Sequence, residues 1–242
     1  MKTTKFIACA ITLCAMSFTM QSCSDDDNQP IYSAVVTVLP EEDGSFQMQL
    51  DEQTVLKPVN VAKSPYGQKE VRALINYIKE DKPSRATTEN VTLCWIDSIR
   101  TKLPVETLGS EDAKVFGDDE VEIVRDWLTV AEDGYLTLRV RTIWGGRGIT
   151  HSLNLVTGTN PDNPLEFELR HNANGDNSGY WGDALIAFNL NNIPEIKDKD
   201  TKIKLNWKSF SGEKSAEFEL QVRKEEKTPK DLPSLGQDIK IE

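Results

Sequence analysis

Few side chains of this chain have the types and spacing that catalysis or metal binding requires. The histidines, His151 and His171, are not at the i, i+4 spacing of a helical metal motif, and no Cys-x-x-Cys pair occurs. Neither a structural zinc site nor a common nucleophile motif is therefore predicted. His151 shares parity with Leu153 and Leu155, which is typical of a partly buried histidine on a strand.

Four polar residues match part of a calcium-binding loop. Asn172, Asn174, Asp176 and Asp183 hold its first, third, fifth and twelfth positions. The first position lacks its carboxylate, the glycine position is Asn177, and the last position is Asp where Glu is usual. Two carboxylates would bind calcium weakly, so the pattern favours a polar turn over a calcium site. No other cofactor is predicted.

Two aromatic residues, Tyr180 and Trp181, follow this loop and are flanked by glycines. Aromatic rings on the loops of a sandwich can stack on sugars, and their amphipathic character also suits contacts with proteins. The alternative for both is core packing at the start of the next strand. They are candidate ligand-contact residues.

Covalent lipid attachment is predicted at Cys23. Lys2 and Lys5 precede an uncharged, mostly apolar run over residues 6–20, which is the layout of a secretory signal and is short for a membrane-spanning helix. Ser22 is the small residue before the cysteine. The pattern resembles a bacterial lipobox, with Met20 where Leu is usual. We therefore expect residues 1–22 to be removed and acyl chains such as palmitate to anchor Cys23 in a membrane.

The residues after the anchor predict where the protein faces. Ser24, Asp25, Asp26 and Asp27 resemble an acidic export signal that sends some lipoproteins to the outer face of the outer membrane. The segment 23–30 is also too polar to pack, so it is expected to form a solvated tether. We favour a protein on the cell exterior, with a periplasm-facing orientation as the alternative.

Composition excludes other classes of partner. The formal net charge is −11, and removal of the two lysines of the signal makes it more negative. Nucleic-acid binding is not expected, because the chain has no excess of Lys and Arg. Cys9 and Cys14 lie in the signal, which leaves Cys94 as the one unmodified cysteine. Its apolar surroundings predict that Cys94 is buried and unreactive.

The elements that must position these residues are predicted as strands, because period-two alternation dominates the body of the chain. Five strands are expected within residues 31–104, the last of them over 90–102. Their number and spacing predict an OB-like five-stranded barrel. The expected fold class is therefore all-β.

A second strand-rich region follows. Residues 105–120 are predicted to be a linker and lead-in, since they contain glycines and an acidic run. Seven strands in 121–226, with Leu136, Leu138 and Val140 on one face, predict an antiparallel β-sandwich. The segment 227–242 is charged and contains proline, so we expect a polar tail.

Several short segments carry a resemblance to a known family. They are Asp43-Gly44-Ser45-Phe46, Leu56-Lys57-Pro58-Val59-Asn60, Ser64-Pro65-Tyr66-Gly67, Trp95-Ile96-Asp97-Ser98-Ile99, Asp133-Gly134-Tyr135-Leu136, Asn154-Leu155-Val156-Thr157-Gly158 and Arg170-His171-Asn172-Ala173. Together they resemble the NigD-like outer-membrane lipoprotein family. The resemblance implies an N-terminal OB-like domain and a C-terminal sandwich. It supplies no catalytic residues, because the biochemical function of that family is unknown.

Three functions remain open from the sequence. The leading one is a surface-exposed lipoprotein that binds an unknown protein or glycan through the sandwich loops or the OB face, without catalysis. The second is a bacteriocin-immunity or envelope-assembly accessory protein, which rests only on the association of the family with a bacteriocin operon. The third is an enzyme with an unrecognised site.

Overall fold

The computed structural model describes residues 29–80, 87–146, 148–196 and 200–223. Within these ranges the chain is mostly β-structure, with one short α-helix, α1 (Asp112–Phe116). None of the helices found there has the length and apolar character needed to cross a membrane. The predicted signal (1–22), most of the tether (23–30) and the predicted tail (227–242) lie outside the described residues.

The N-terminal domain is a closed five-stranded barrel, as predicted. Its strands are β1 (Tyr32–Pro40), β2 (Phe46–Gln49), β3 (Val55–Pro58), β4 (Val71–Lys79) and β5 (Thr88–Ser98). Neighbours follow the order β1-β2-β3-β5-β4, and β4 pairs with β1 to close the barrel. Alternate side chains such as Val36, Met48 and Ile75 point inward and are fully buried, and removing them from water stabilises the barrel.

The prediction that Cys94 is buried is wrong, because its side chain is exposed. Pairing between β4 and β5 shifts by one residue here: Leu93 lies opposite Tyr77, whereas Trp95 lies opposite Asn76. Cys94 is thus the extra residue of a β-bulge, which interrupts strict alternation. Cys94 and Trp95 consequently both face solvent.

The C-terminal domain is a sandwich of two sheets. The first sheet contains β6 (Arg100–Lys102), β8 (Glu122–Ile123), β9 (Val130–Glu132), β10 (Tyr135–Trp144) and β13 (Tyr180–Asn189). The second sheet contains β7 (Val105–Glu106), β11 (Ser152–Thr157), β12 (Glu166–Asn172), β14 (Thr201–Ser209) and β15 (Gly212–Leu220). Most pairs are antiparallel, but β6 with β13, β7 with β11 and β12 with β14 are parallel. The predicted inward face of Leu136, Leu138 and Val140 is confirmed, because all three lie in the core between the sheets.

The strand predicted over residues 90–102 is in fact two strands. β5 ends at Ser98 and pairs within the barrel, whereas β6 starts at Arg100 and pairs with β13 of the sandwich. The buried Ile99 separates them. The sandwich therefore begins near residue 100, and the segment expected to be a linker (105–120) contributes β7 and α1.

The two domains share an apolar interface. Val35 and the partly buried Leu74, on the outer face of the barrel, pack in one cluster with Tyr135 and Ala187 of the sandwich. Ile99, at the passage between the domains, belongs to the same cluster. Burial of these side chains holds the barrel against the sandwich.

A buried arginine lies in this interface. The Arg72 side chain is completely buried; its Nη1 donates to Thr37 Oγ1 at 3.0 Å, and its Nε donates to Thr137 Oγ1 at 3.2 Å. Its Nη2 lies 3.7 Å from a Glu132 carboxylate oxygen, and the guanidinium lies over the Tyr135 ring. Arg72 thus links side chains of both domains.

Candidate functional site

The predicted lipidation residue Cys23 and the predicted export residues Ser24, Asp25, Asp26 and Asp27 lie outside the described residues. The other predicted site residues lie in the sandwich, at or near one end of the domain. At this end the last residue of β10 pairs with the first residue of β13, and the start of β11 pairs with the end of β12.

Four exposed aromatic side chains mark this end of the sandwich, which we call the aromatic end: Trp144, Tyr180, Trp181 and Phe210. Their exposed fractions are 40%, 83%, 58% and 40% respectively. Trp181 meets Phe210 edge-on, with ring centroids 4.8 Å apart and an interplanar angle of 72°. Tyr180 and Trp181 are therefore solvent-facing and not part of the core. Clustered apolar exposure of this kind is typical of an interaction site.

Backbone geometry brings these residues together. Trp144 ends β10 directly opposite Tyr180, the first residue of β13. Gly179, with φ of +147°, precedes β13, and a Cβ atom there would lie 2.2 Å from the Trp144 carbonyl oxygen. Only glycine permits this approach. Phe210 comes from the turn between β14 and β15, so both sheets contribute to the aromatic end.

The four residues of the predicted calcium loop are divided between strands and a turn. Asp183 lies on β13, and its carboxylate accepts hydrogen bonds from Arg141 and Arg139, which hold the pKa of Asp183 well below its usual range. Arg139 also pairs with Asp126 at 2.5 Å. Across the ranges that the structure describes, no group of three or more His, Cys, Asp or Glu side chains is placed to hold a metal ion. Asp183 is therefore engaged by arginines.

The remaining calcium-loop residues form a polar turn. The side-chain oxygen of Asn172 accepts a hydrogen bond from the backbone N–H of Asn174 at 2.8 Å. Asp176 is buried, and its Oδ2 accepts from the backbone N–H of Gly145 at 3.0 Å. These contacts join the turn after β12 to the loop after β10, beside Trp144.

Asp176 belongs to a chain of buried side chains that we call the histidine cluster, with His151 and His171. Nδ1 of His171 lies 2.9 Å from the carbonyl oxygen of Glu120, and Nε2 of His171 lies 3.0 Å from Nδ1 of His151. Nε2 of His151 lies 3.5 Å from Oδ2 of Asp176. Trp144 stacks on the His151 ring, with centroids 5.5 Å apart. The cluster therefore supports one of the four exposed rings from below.

Hydrogen-bond geometry fixes how protons are arranged in this cluster. A carbonyl oxygen accepts only, so His171 carries a proton on Nδ1. Burial lowers the pKa of His171, and a neutral His171 accepts from Nδ1–H of His151 through Nε2. A neutral His151 would then face Asp176 with an unprotonated Nε2. Among the residues that the structure describes, Nε2 of His151 and Oδ1 of Asp176 have no hydrogen-bond partner.

Two depressions flank the histidine cluster. One, of about 410 Å³, is lined in part by His171 and Phe210. The other, of about 320 Å³, is lined in part by His151 and Trp144. The contact between the two histidines thus separates two solvent-accessible spaces at the same end of the domain.

Sequence reasoning identified only part of this site. Tyr180 and Trp181 were predicted from their position between glycines, but Trp144 and Phe210 were not. The glycines directly after Trp144 were the available signal that β10 ends there. The pairing of His151 with His171 had no sequence signal, because it depends on contact between two strands of the second sheet.

Family models match most of the described chain. Residues 35–99 match the model described as the NigD-like N-terminal OB domain, and residues 104–220 match the NigD-like C-terminal beta sandwich domain. No curated protein matches the chain significantly.

Several solved structures of bacterial proteins share the fold. A protein named as toxin-related from Parabacteroides distasonis is 28% identical, covers 79% of this chain and 94% of its own, and has a TM-score of 0.65. A NigD-like immunity protein from Bacteroides caccae is 22% identical, with 78% and 92% covered and a TM-score of 0.54. A protein from Bacteroides fragilis named as a lipoprotein is 16% identical, with 81% and 100% covered and a TM-score of 0.56. At their lower identities, the last two show a shared fold alone.

Proposed function

This chain belongs to the NigD-like family, with its N-terminal OB domain and C-terminal β-sandwich domain, and from that premise we propose that it is a lipid-anchored envelope protein that binds a partner protein through the aromatic end. The observation that carries this proposal is the exposure of Trp144, Tyr180, Trp181 and Phe210 at one end of the sandwich, where Trp144 lies opposite Tyr180 and Trp181 contacts Phe210. Tryptophan and tyrosine dominate the energetic centres of protein interfaces, because they bury large areas at low entropic cost.

The shape of the surface favours a protein over a glycan. Sugar rings stack on open, flat aromatic faces, whereas Trp181 and Phe210 meet edge-on at 72° and form an uneven surface. Phe210 also lacks the polar group with which a sugar hydroxyl would pair. A protein partner can fit such a surface with its own apolar side chains, while polar groups such as the Tyr180 hydroxyl lie at the rim.

Binding without catalysis is supported by the placement of the polar groups. His171 and Asp176, which could transfer protons, are almost completely buried. The exposed residues of the aromatic end are apolar or amphipathic. The four exposed rings of the aromatic end would therefore supply binding groups, and the neighbouring His171 and Asp176 would stay largely shielded from a partner.

The lipid on Cys23 is the proposed means of attachment to the outer membrane, and Ser24 with Asp25–Asp27 is proposed to direct the protein to the exterior. Cys23→Ala should move the protein from the membrane fraction to the soluble fraction, or leave an uncleaved precursor. Fractionation and immunoblotting measure both. Normal processing together with membrane retention in this variant would contradict the anchor.

The binding proposal is tested with the mature chain immobilised and exposed to proteins released from the envelope and from the medium. Tyr180→Ala/Trp181→Ala should reduce capture of the bound protein by about tenfold or more, because truncation of central aromatic residues removes most of the binding energy of an interface. Trp127→Ala is the matched control: Trp127 is 53% exposed in the same domain but does not belong to the aromatic end.

Three results would change the proposal. Unchanged capture by the double variant would rule out the aromatic end as the surface. Binding to a glycan array that is lost in the double variant would keep the surface and replace the partner class. Capture of a bacteriocin would support the immunity role, in line with the name of the Bacteroides caccae protein.

A further inference from the structure

The cleft of about 320 Å³ beside His151 lies between the two sheets of the sandwich. β6 is the edge strand of the first sheet, and it faces the start of β11 in the second. Arg100 and Lys102, which have the same parity on β6, line the cleft together with Ile149, Leu153 and Ile186. Its size is at the low end of the range for small-molecule sites, about 300–1,000 Å³.

The charge of this cleft is opposite to that of the whole chain. Among the described residues that line it are Arg100 and Lys102 but no Asp or Glu, although the chain has 39 acidic and 28 basic residues. Burial, followed by repulsion from Arg100, lowers the pKa of Lys102. Two cations therefore line an apolar cleft without a neutralising carboxylate.

The two cations keep unused hydrogen-bond donors. Nζ of Lys102 donates to the Leu153 carbonyl oxygen at 2.7 Å and to Oδ1 of Asn154, which links the sheets and uses two of its three protons. The backbone of Arg100 pairs with β13, but within the described ranges its side chain has no hydrogen-bond or ion-pair partner. A purely structural role would account for Lys102 but not for Arg100.

We propose that this cleft binds a small amphiphilic anion, whose carboxylate or phosphate group pairs with Arg100 and Lys102 while its apolar body lies against Ile149, Leu153 and Ile186. The guanidinium of Arg100 presents a planar set of donors that suits a carboxylate or a phosphate. Ile186 is buried and Ile149 and Leu153 are partly buried, so these walls can cover the apolar body of the ligand while the exposed Arg100 meets its charged group. The site shares Trp144 with the aromatic end but takes a different ligand.

The test is calorimetric titration of the mature chain with octanoate, octyl phosphate and octanol. At least one of the anions should bind saturably and about tenfold or more tighter than octanol, because hydrogen bonds to charged groups contribute more than contact with the apolar tail. The carboxylate and phosphate arms show which head group the site accepts. Equal binding of octanol and the anions, or no saturable binding of either anion, overturns the proposal.

Variants locate the binding. Arg100→Gln should weaken anion binding by about tenfold; because Arg100 is exposed and unpaired, this change should leave urea unfolding unaltered. Arg100→Gln/Lys102→Met should abolish the binding. Lys202→Gln, at an exposed lysine of β14, is the matched control and should bind as the original chain does. Unchanged binding by Arg100→Gln overturns the proposal. Tyr180→Ala/Trp181→Ala should still bind the anion, so this test is independent of the partner proposal.

Discussion

Two clusters of buried polar side chains in this molecule have similar burial but different surroundings. One cluster surrounds Arg72 between the domains, and the other is the histidine cluster. Among the described residues, each leaves one nitrogen without a hydrogen bond: Nη2 of Arg72 in the first and Nε2 of His151 in the second. At Arg72, Glu132 lies 3.7 Å from that nitrogen and Tyr135 covers the guanidinium. At His151, the facing carboxylate of Asp176 is itself unpartnered at one oxygen, and depressions lie on both sides of the cluster.

This difference indicates a structural role for the Arg72 cluster and a pH-dependent role for the histidine cluster. Arg72 carries a permanent charge, and burial makes the loss of its partners costly, so its cluster can only fix how the domains sit together. The histidine cluster contains His171, a titratable group whose pKa is lowered by burial. It also supports Trp144, so a change in its protonation would be felt at the aromatic end.

The largest expected effect is at Arg72. Arg72→Met keeps much of the volume but removes two hydrogen bonds and leaves the partly buried Glu132 without its cation. The free energy of unfolding should fall by about 3 kcal/mol or more, as for other broken buried ion pairs. Urea unfolding followed by circular dichroism measures this change.

Arg125→Met is the control for this substitution. Arg125 is exposed in the same sandwich domain, and replacement of such a surface residue should change stability by no more than about 0.5 kcal/mol. If both variants unfold at the same urea concentration as the original chain, Arg72 does not hold the domains together, and the contrast with the histidine cluster fails.

The barrel was predictable from the number and spacing of its strands and from alternation in some of them, such as Phe46 and Met48 in β2. Val36, Met48 and Ile75 point inward as alternation requires. Cys94 was mispredicted because a bulge inserts one residue, and a bulge has no periodic signature. β6 was predicted as the end of the strand over 90–102, because three residues are too short to show a separate alternation and its parallel partner β13 lies far along the chain.

The candidate site was predictable only where local sequence determines it. The position of Tyr180 and Trp181 beside a loop made them candidates, but the sequence left core packing open as the alternative. Arg72 is different: as a charged residue on an alternating strand, it is expected to face solvent, and only the docked sandwich buries it. The partners of His151 likewise depend on which strands become neighbours, which is a property of the whole fold.

The smallest expected effect is a pH dependence from the histidine cluster. Burial lowers the pKa of His171 from its ordinary value of 6.5, although its hydrogen bond with the Glu120 carbonyl and the nearby Asp119 act in the opposite direction. The unfolded chain therefore takes up a proton that the folded chain refuses. Stability from this residue is complete above pH 6.5, falls as the pH drops below 6.5, and is fully lost below the pKa of the folded state.

His171→Asn isolates this effect, because the Asn side-chain amide can still donate to the Glu120 carbonyl but does not titrate. The variant should be less stable at pH 7.5 and should lose less stability than the original chain between pH 7.5 and pH 5.5. Glu132 and Glu168 have pKa values raised by burial, so they favour the folded state as the pH falls. Because both proteins carry these carboxyls, their contribution cancels in the difference between the two urea-unfolding profiles. Parallel profiles would show that His171 takes up a proton equally in the folded and unfolded chains, and the histidine cluster would then be as insensitive to pH as the Arg72 cluster.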